Sequence, residues 1–240
     1  LRRIAERHGI PLIFDAAHGF GAQHRGVPLG ASGWCEIFSM SPTKLVPAGE
    51  GGMVTTDDAQ LAQALTRLRE YGNDGNYNLT LPGMNGRLPE LSALLALKSF
   101  ERLPAVAARK RELAAQLKAL LQDTPGISWQ KVHDADVSSY KDLTCAIDER
   151  QFGLTRDGLE RALTAEGVET RRYFDPPCHQ HSYWSGRART APSGLSVTER
   201  LCKGVLTLPL YSRMSGSDVE RLAAAINRIH RFAPSIRRMM

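Results

Sequence analysis

The chain has 240 residues, of which 42% are hydrophobic and 23% are charged, a composition typical of a globular protein. Its net charge is +6 and its basic residues are spread along the chain, which argues against nucleic-acid binding and suits an enzyme with anionic ligands. No apolar run reaches the length of about 18 residues that a membrane-spanning helix needs, so we expect no membrane among its partners. From the spread of the basic residues we also expect no nucleic acid.

The first half of the chain alternates short apolar strands with polar connections. Strands are predicted over residues 11–15, 36–39 and 52–56. An amphipathic helix follows from residue 57 to about residue 71, and a loop rich in Gly and Asn comes next. This alternation predicts an α/β fold, in which ligands bind at the carboxyl ends of the strands.

The second half of the chain is richer in helices. Helices are predicted over residues 88–103 and 105–121, with Pro104 kinking or interrupting the pattern between them. Capping-box motifs predict two further helices that begin at Ser196 and Ser217. The other predicted elements are a helix over 155–166 and strands over 141–147 and 169–174. We expect a smaller α+β domain to begin near residue 105.

The chain has four widely separated cysteines: Cys35, Cys145, Cys178 and Cys202. They form no CxxC pair, and His179 and His181 lack a third metal ligand nearby in the sequence. We therefore expect no disulfide framework and no metal site, and the reducing cytoplasm as the compartment.

Two segments combine residue types that bind a charged cofactor. Asp15 follows one predicted strand, while Ser39 ends another and Lys44 lies in the loop behind it. Asp15 and Lys44 thus project near the same sheet edge, either as a plain ion pair or as part of a binding site. A binding site is favoured by the glycines around Glu50, which let backbone approach a phosphate closely. A reactive lysine, an anion cradle and a carboxylate that keeps a pyridine nitrogen protonated are what pyridoxal phosphate requires.

These residues resemble motifs of the DegT/DnrJ/EryC1/StrS family of sugar aminotransferases. The first matching segments are Asp-Ala-Ala-His at 15–18, Ser39 with Lys44 five positions later, and Gly-Glu-Gly-Gly at 49–52. Downstream, residues 82–88, 176–179 and 208–211 resemble the family's Gly-Tyr-Asn-Tyr-Arg-Met, Pro-Leu-His and Leu-Pro-Leu-Tyr segments. The resemblance covers nearly the whole chain in the family's order.

The resemblance implies an α/β fold, that of the fold-type I pyridoxal-phosphate enzymes. Residues 1–104 would be the carboxyl-terminal part of the large cofactor-binding domain, and residues 105–240 the small α+β domain. It also implies transamination of a nucleotide-linked keto-sugar, with an amino acid, glutamate, as donor and pyridoxal 5′-phosphate as cofactor.

The resemblance assigns four residues to the cofactor. Lys44 would bind it covalently and move the proton during catalysis, and Asp15 would pair with its pyridinium nitrogen. His18 would lie near its 3′-oxygen, and Ser39 would bind its phosphate. Without the motif, His18 is more typical of a partly buried hydrogen-bonding histidine than of a cofactor contact, and Ser39 is an ordinary strand-end residue.

Two further residues carry roles that involve a partner or a substrate. Asn85 would reach the cofactor phosphate from the neighbouring subunit, which makes a homodimer with shared active sites the catalytic unit. His179 would lie near the substrate. Taken alone, Asn85 is also typical of a turn that precedes a helix.

The chain departs from the family's pattern in two ways. Ser41 stands where many relatives carry histidine. Relatives also have a long segment before the strand that ends at Asp15, which supplies another part of the phosphate site and an aromatic residue that stacks on the cofactor ring. Because this chain opens within a helical pattern and without methionine, we expect a piece of a longer or split protein, which alone binds the cofactor weakly.

Three functions stay open on the sequence alone. Lys44 favours an aminotransferase over the family's dehydratases, which have histidine at the lysine position. Another fold-type I enzyme, such as a lyase or a cysteine desulfurase, requires a reactive cysteine on a mobile loop, and neither Cys35 nor Cys178 lies in an evident one. The third is an inactive chain that serves as an interaction module or completes a partner.

Overall fold

The computed structural model describes residues 1–31 and 34–239, and the chain divides into two compact units. The first unit contains Leu1–Arg109 and Val132–Lys141, and the second contains Lys110–Lys131 and the residues from Asp142 onward. The domain boundary near residue 105 stays a prediction. Within the described ranges, no helix has both the length and the apolar character that crossing a membrane requires.

Short strands and helices follow one another along the chain. The first are α1 (Arg2–Arg7), β1 (Ile13–Asp15), β2 (Gln23–His24), β3 (Val27–Pro28), β4 (Cys35–Ser39), β5 (Gly52–Thr55), α2 (Ala59–Leu68) and the much longer α3 (Glu90–Leu120). They are followed by β6 (Ile127–Trp129), β7 (Asp136–Val137), β8 (Leu143–Ile147), α4 (Glu149–Phe152), α5 (Arg156–Ala165), α6 (Ser196–Gly204), β9 (Val205–Leu208), α7 (Gly216–Arg231) and α8 (Ala233–Met239). Two 3-10 turns, Cys178–Gln180 and Ser182–Trp184, lie between α5 and α6.

β1, β4 and β5 form the main sheet of the first unit. β1 is parallel to β4 and β5 is antiparallel to it, so β4 lies in the middle. The three strands predicted from the sequence are confirmed, each within two residues of its expected bounds. The parallel pairing brings the carboxyl ends of β1 and β4, at Asp15 and Ser39, to the same edge of the sheet.

The two faces of this sheet differ in burial, because successive residues of a strand point to opposite sides. Phe38 is 1% exposed and stacks on Phe20 with ring centroids 4.5 Å apart. Its neighbour Ile37 is 44% exposed, and the apolar side chains on the same face of β1 and β5, Ile13 and Val54, are exposed as well. The face of Phe38 therefore lies against the core, while the face of Ile37 is an apolar surface in contact with solvent.

A smaller sheet joins distant parts of the chain within the first unit. β2 pairs in antiparallel fashion with β3 and with β7, which returns residues 132–141 to this unit. His24 Nδ1 lies 2.9 Å from Asp136 Oδ1 across the pairing. Beyond β7, the Ser139 hydroxyl donates a hydrogen bond of 3.1 Å to the backbone oxygen of His18. The segment of residues 132–141 therefore ends beside the Asp-Ala-Ala-His motif at residues 15–18.

The second unit is built on an antiparallel sheet in which β8 lies between β6 and β9. The strand predicted over residues 141–147 and the helix predicted over 155–166 are confirmed as β8 and α5. α7 presents the buried face expected from its sequence: Val219, Leu222, Ala223, Ile226 and Ile229. These helical faces and the sheet form the core of the unit.

α3 continues through Pro104 for 31 residues in all, so the predicted interruption at this residue is wrong, while the alternative of a kink stays a prediction. Proline removes one backbone hydrogen bond from a helix. Its neighbours Leu103 and Ala107, however, are 9% and 2% exposed and belong to the core of the first unit. Packing of that face outweighs the lost hydrogen bond.

The capping box of α7 lies two residues earlier than predicted, at Ser215 instead of Ser217. Ser215 Oγ accepts a hydrogen bond of 3.1 Å from the backbone of Asp218, whose carboxylate accepts one of 2.8 Å from the backbone of Ser215. The bonds from Ser215, together with Arg221, lower the pKa of Asp218 to about 2. The box motif therefore predicted the helix correctly but assigned its first residue wrongly.

Two other local predictions in the second unit are wrong. α6 begins at Ser196, but its N-cap is Leu195 and carries no side-chain cap, so the predicted capping box does not form. The strand predicted over residues 169–174 is instead an isolated bridge between Arg171 and Thr207. The polar and charged residues of that segment form ion pairs in place of a regular ladder.

Candidate functional site

Asp15 lies at the carboxyl end of β1, in an exposed position. The chain continues the sheet pairing for one more residue, since the Ala16 backbone donates to Ile37 oxygen at 2.8 Å, and then turns. Asp15 Oδ1 accepts a hydrogen bond of 3.0 Å from the Ala17 backbone. This bond orients the carboxylate at the edge of the sheet.

Ser39 ends β4, and the turn that follows holds Lys44. Ser39 Oγ lies 3.4 Å from the Ser41 backbone nitrogen, and the Lys44 backbone donates to Ser41 oxygen at 3.0 Å. The next two residues, Leu45 and Val46, are 9% and 0% exposed, so their packing fixes the turn against the core. Lys44 itself is half-buried.

The glycine-rich segment behind this turn has a backbone that requires glycine. Gly49 and Gly51 have φ angles of +82° and +150°, which other residues rarely adopt. A Cβ at Gly51 would also lie 2.7 Å from Leu88 Cδ1. The Met40 backbone donates to Gly51 oxygen at 2.8 Å and closes the loop. The Leu88 side chain therefore covers Gly51, whereas Gly49 is exposed with open space beside it, and the phosphate cradle stays a prediction.

The structure brings His18 and Lys44 to the walls of one small cavity, which Ala17, Phe20 and Leu45 also line. The remaining wall is Lys141, a residue that the sequence analysis placed at the start of a strand and gave no role. Lys141 reaches this place because β7 pairs with β2, a contact between segments about 110 residues apart in the chain. No local motif marks such a pairing, so the sequence offered no signal for it.

Asn85 lies elsewhere in the first unit, at an exposed bridge to Glu70. Its Oδ1 accepts a hydrogen bond of 3.1 Å from Arg87 Nε, and Arg87 Nη1 also donates to Glu70 Oε1 at 3.2 Å. Among the described residues, those that line the cavity of Lys44 do not include Asn85. Its role at the site of a neighbouring subunit stays a prediction.

His179 belongs to the second unit, in the first of the two 3-10 turns. Its side chain is 16% exposed, and Nε2 lies 3.0 Å from Glu199 Oε1 on α6. The sequence patterns point to His179 but not to Glu199, which matches only a capping motif. The substrate role of His179 stays a prediction.

Two of the four cysteines, Cys35 and Cys145, are poorly suited to act as nucleophiles, whereas Cys178 is exposed. Burial raises the pKa of the Cys145 thiol to about 12, so it is not a thiolate at neutral pH. Cys35 is also buried. In residues 1–31 and 34–239, no three His, Cys, Asp or Glu side chains cluster as a metal ion would need.

Comparison with known proteins places these residues in a family. The sequence model of the DegT/DnrJ/EryC1/StrS aminotransferase family matches residues 1–227. The structure of DesI in the presence of its TDP-sugar product is 36% identical with a TM-score of 0.86, over 96% of this chain and 58% of DesI. S. venezuelae DesV, in complex with a ketimine intermediate, is 30% identical with a TM-score of 0.88, over 95% of this chain and 60% of DesV.

A third solved structure shows how far the same fold extends. The E. coli GDP-4-keto-6-deoxy-D-mannose-3-dehydratase with bound hydrated PLP is 20% identical, with a TM-score of 0.85 over 94% of this chain and 62% of the dehydratase. The three matches confirm the fold-type I architecture that the resemblance implied. The chain spans about three fifths of the length of these structures.

Proposed function

Because the chain belongs to the DegT/DnrJ/EryC1/StrS aminotransferase family, we propose that the whole protein transfers an amino group from glutamate to a nucleotide-linked keto-sugar, with pyridoxal 5′-phosphate as cofactor. One observation carries this proposal. Lys44 and His18 lie around one small void, and they follow Asp15 and Ser39, which end two neighbouring parallel strands at the same edge of the sheet.

The residues present fit the cofactor. A half-buried lysine on a turn fixed by core packing can form a covalent bond without reshaping the site. The Asp15 carboxylate is held by the Ala17 backbone, and the glycine segment leaves open space at Gly49, where a Cβ would meet nothing within 4 Å. Bound pyridoxal phosphate supplies an electron sink for the carbon that loses a proton.

Each residue of the chain then has one task. Lys44 would hold the cofactor through its amine, and the same amine would serve as the group that accepts and returns the proton. The Asp15 carboxylate keeps the proton on the ring nitrogen by charge pairing. Ser39 donates its hydroxyl to the phosphate, and His18 contacts the 3′-oxygen. His179 contacts the sugar substrate.

Lys44 favours amino transfer over dehydration. The family's dehydratases resemble the aminotransferases but have histidine in place of this lysine, so they lack an amine that can carry the cofactor. Of the two cysteines considered for a desulfurase, Cys35 is buried and gives it no support, while Cys178 is exposed in a 3-10 turn and leaves this alternative to the experiment below. An inactive chain that completes a partner would be consistent with the exposed apolar face of β4, but it gives no reason for the lysine cavity.

We propose a homodimer in which Asn85 of each copy reaches the cofactor phosphate of the other. The exposed position of Asn85, outside the cavity of Lys44, supports this arrangement. We also propose the cytoplasm as the compartment, where nucleotide sugars and glutamate are available and four unpaired cysteines stay reduced.

The proposal is tested by adding pyridoxal phosphate and glutamate, without sugar, to the purified whole protein. We expect visible absorbance on cofactor binding, which fades as one equivalent of 2-oxoglutarate appears. The variant Lys44→Ala should release none, whereas Lys98→Ala, at an exposed surface ion pair, should behave like the original protein. Formation of pyruvate or sulfide from other amino acids would indicate a lyase or a desulfurase instead, and a colourless protein would indicate an inactive chain.

A further inference from the structure

His179 and Glu199 form a directional pair. A carboxylate only accepts hydrogen bonds, so the 3.0 Å contact requires a hydrogen on His179 Nε2. In the neutral ring the other nitrogen, Nδ1, is then an acceptor. Glu199 therefore selects one of the two tautomers of His179.

A buried guanidinium holds the segments on both sides of this pair. The Arg156 side chain is 2% exposed and sits at the start of α5. Its Nη2 lies 2.5 Å from Asp175 Oδ2, and its Nη1 donates at 3.2 Å to the backbone oxygens of Cys202 and Val205. Its Nε lies 2.5 Å from Asp157 Oδ1, so every nitrogen of the group is used.

The partners of Arg156 lie close in the chain to the members of the pair. Asp175 precedes His179 by four residues, with two prolines between them that restrict the connecting backbone. Cys202 follows Glu199 by three residues on the same helix, α6. One guanidinium therefore ties the segment that carries the histidine to the helix that carries the carboxylate.

We propose that Glu199 and Arg156 are positioning residues for His179, so that its Nδ1 accepts a hydrogen bond from a hydroxyl group of the sugar substrate. This inference rests on the proposed function, because it takes the substrate to be a sugar. Glu199 sets which nitrogen is the acceptor, and Arg156 sets the distance between the imidazole and the carboxylate. Such an arrangement costs little reorganisation when the substrate binds, because the acceptor is already oriented.

The tautomer is measured on the chain itself, without cofactor or substrate. Long-range ¹H–¹⁵N spectra of imidazole-labelled protein are recorded at about pH 8.5, where an ordinary histidine is neutral, and His179→Gln assigns the signal. We expect a hydrogen on Nε2 in the original protein and a mixture of tautomers in Glu199→Ala. Glu199→Gln keeps an acceptor oxygen and should largely restore the original spectrum, while Glu220→Ala on α7 serves as the control.

The role of Arg156 is tested by Asp175→Asn, which weakens one contact of the guanidinium and leaves the others in place. We expect the tautomer mixture to appear here too, with the circular dichroism of the protein unchanged. A mixture in the original protein, or a fixed tautomer in Glu199→Ala, would overturn the proposal. If the spectrum of Asp175→Asn equals that of the original protein, Arg156 is not a positioning residue for His179.

The substrate contact has a separate readout in the cofactor-loaded enzyme. We expect His179→Gln and Glu199→Ala to raise KM for the nucleotide sugar about tenfold, the loss of roughly one neutral hydrogen bond, with the glutamate half-reaction unchanged. If the original protein holds one tautomer but KM is unchanged in His179→Gln, the hydrogen bond between His179 and the sugar hydroxyl is contradicted. Failure of the half-reaction itself would contradict the proposed function and leave the tautomer result standing.

Discussion

Arg87 Nε donates to Asn85 Oδ1 at 3.1 Å, so the oxygen of this amide is already occupied within its own chain. Because arginine has no acceptor, the contact also fixes which end of the amide is oxygen and which is nitrogen. Arg87 is held in turn by Glu70 and by the ring of Tyr71, whose centroid lies 5.5 Å from the guanidinium carbon. The amide nitrogen of Asn85 is thereby oriented as the donor, which is what a phosphate requires.

The first prediction concerns the strength of this contact. Asn85→Ala should weaken cofactor binding about 10- to 100-fold, because it removes a hydrogen bond to a charged group worth about 1.5–3 kcal/mol. Arg87→Met should weaken it less, since the amide remains but is no longer oriented. Spectroscopic titration with pyridoxal phosphate measures both constants. Unchanged affinity in Asn85→Ala would contradict the assignment of this residue to the phosphate.

The second prediction tests whether the site is shared between subunits. Lys44→Ala and Asn85→Ala are each expected to be impaired alone. Mixing the two variants in equal amounts should give about a quarter of the sites both native residues. About half of the dimers are then mixed, and each mixed dimer combines Lys44 of one copy with Asn85 of the other at one of its two sites. The glutamate half-reaction of the mixture measures this recovery. No recovery after subunit exchange would show that both residues serve the same chain's site, or that no dimer forms.

The third prediction distinguishes the two lysines of the cavity. Borohydride added to the cofactor-loaded protein should attach the cofactor to Lys44 and not to Lys141, because Lys44 is the residue that matches the family's motif. Peptide mass spectrometry locates the label. Lys141→Ala should still be labelled at Lys44, whereas Lys44→Ala should carry no label at either position. A label on Lys141 in the original protein would reverse the assignment.

The lysine cavity shows what the sequence could and could not predict. Asp15 and Ser39 were found because each ends a short apolar strand, and Lys44 because it lies in the turn after Ser39; local patterns predict such strands well. Lys141 was not found, since its place depends on the pairing of β2 with β7. The contacts of Glu199 and Arg156 were missed for the same reason, as they join segments 19 to 49 residues apart.

Local rules also failed where tertiary packing competes with them. Pro104 predicted a kink or an interruption, but α3 is not interrupted there, since Leu103 and Ala107 beside it are buried in the core. Ser196 and Ser217 matched the capping-box motif, yet one box did not form and the other begins at Ser215. A motif of four residues specifies that a helix starts nearby, and the surrounding structure decides at which residue.

The fourth prediction concerns Asp15. Asp15→Asn should lower the rate of amino transfer about a thousandfold, or about 4 kcal/mol in the barrier, because the neutral amide cannot keep the ring nitrogen protonated. The fold should be unaffected, since an asparagine Oδ1 can accept the same hydrogen bond from the Ala17 backbone. Steady-state kinetics and a thermal melt measure the two effects. Near-normal turnover would make Asp15 a purely structural residue.

The last prediction uses two neighbouring residues of β4 as a matched pair. Phe38 is 1% exposed and packs on Phe20, so Phe38→Ala should destabilise the first unit by about 3–5 kcal/mol through the cavity that it leaves. Ile37 points to the opposite face and is 44% exposed, so Ile37→Thr, which keeps a β-branched side chain, should cost only about 0.5 kcal/mol. Hydrogen exchange of the β4 amides reports the stability of this unit separately from the second. An equally large loss in Ile37→Thr would mean that its face is covered in the protein, and that the apolar surface of Ile13, Ile37 and Val54 is part of an interface.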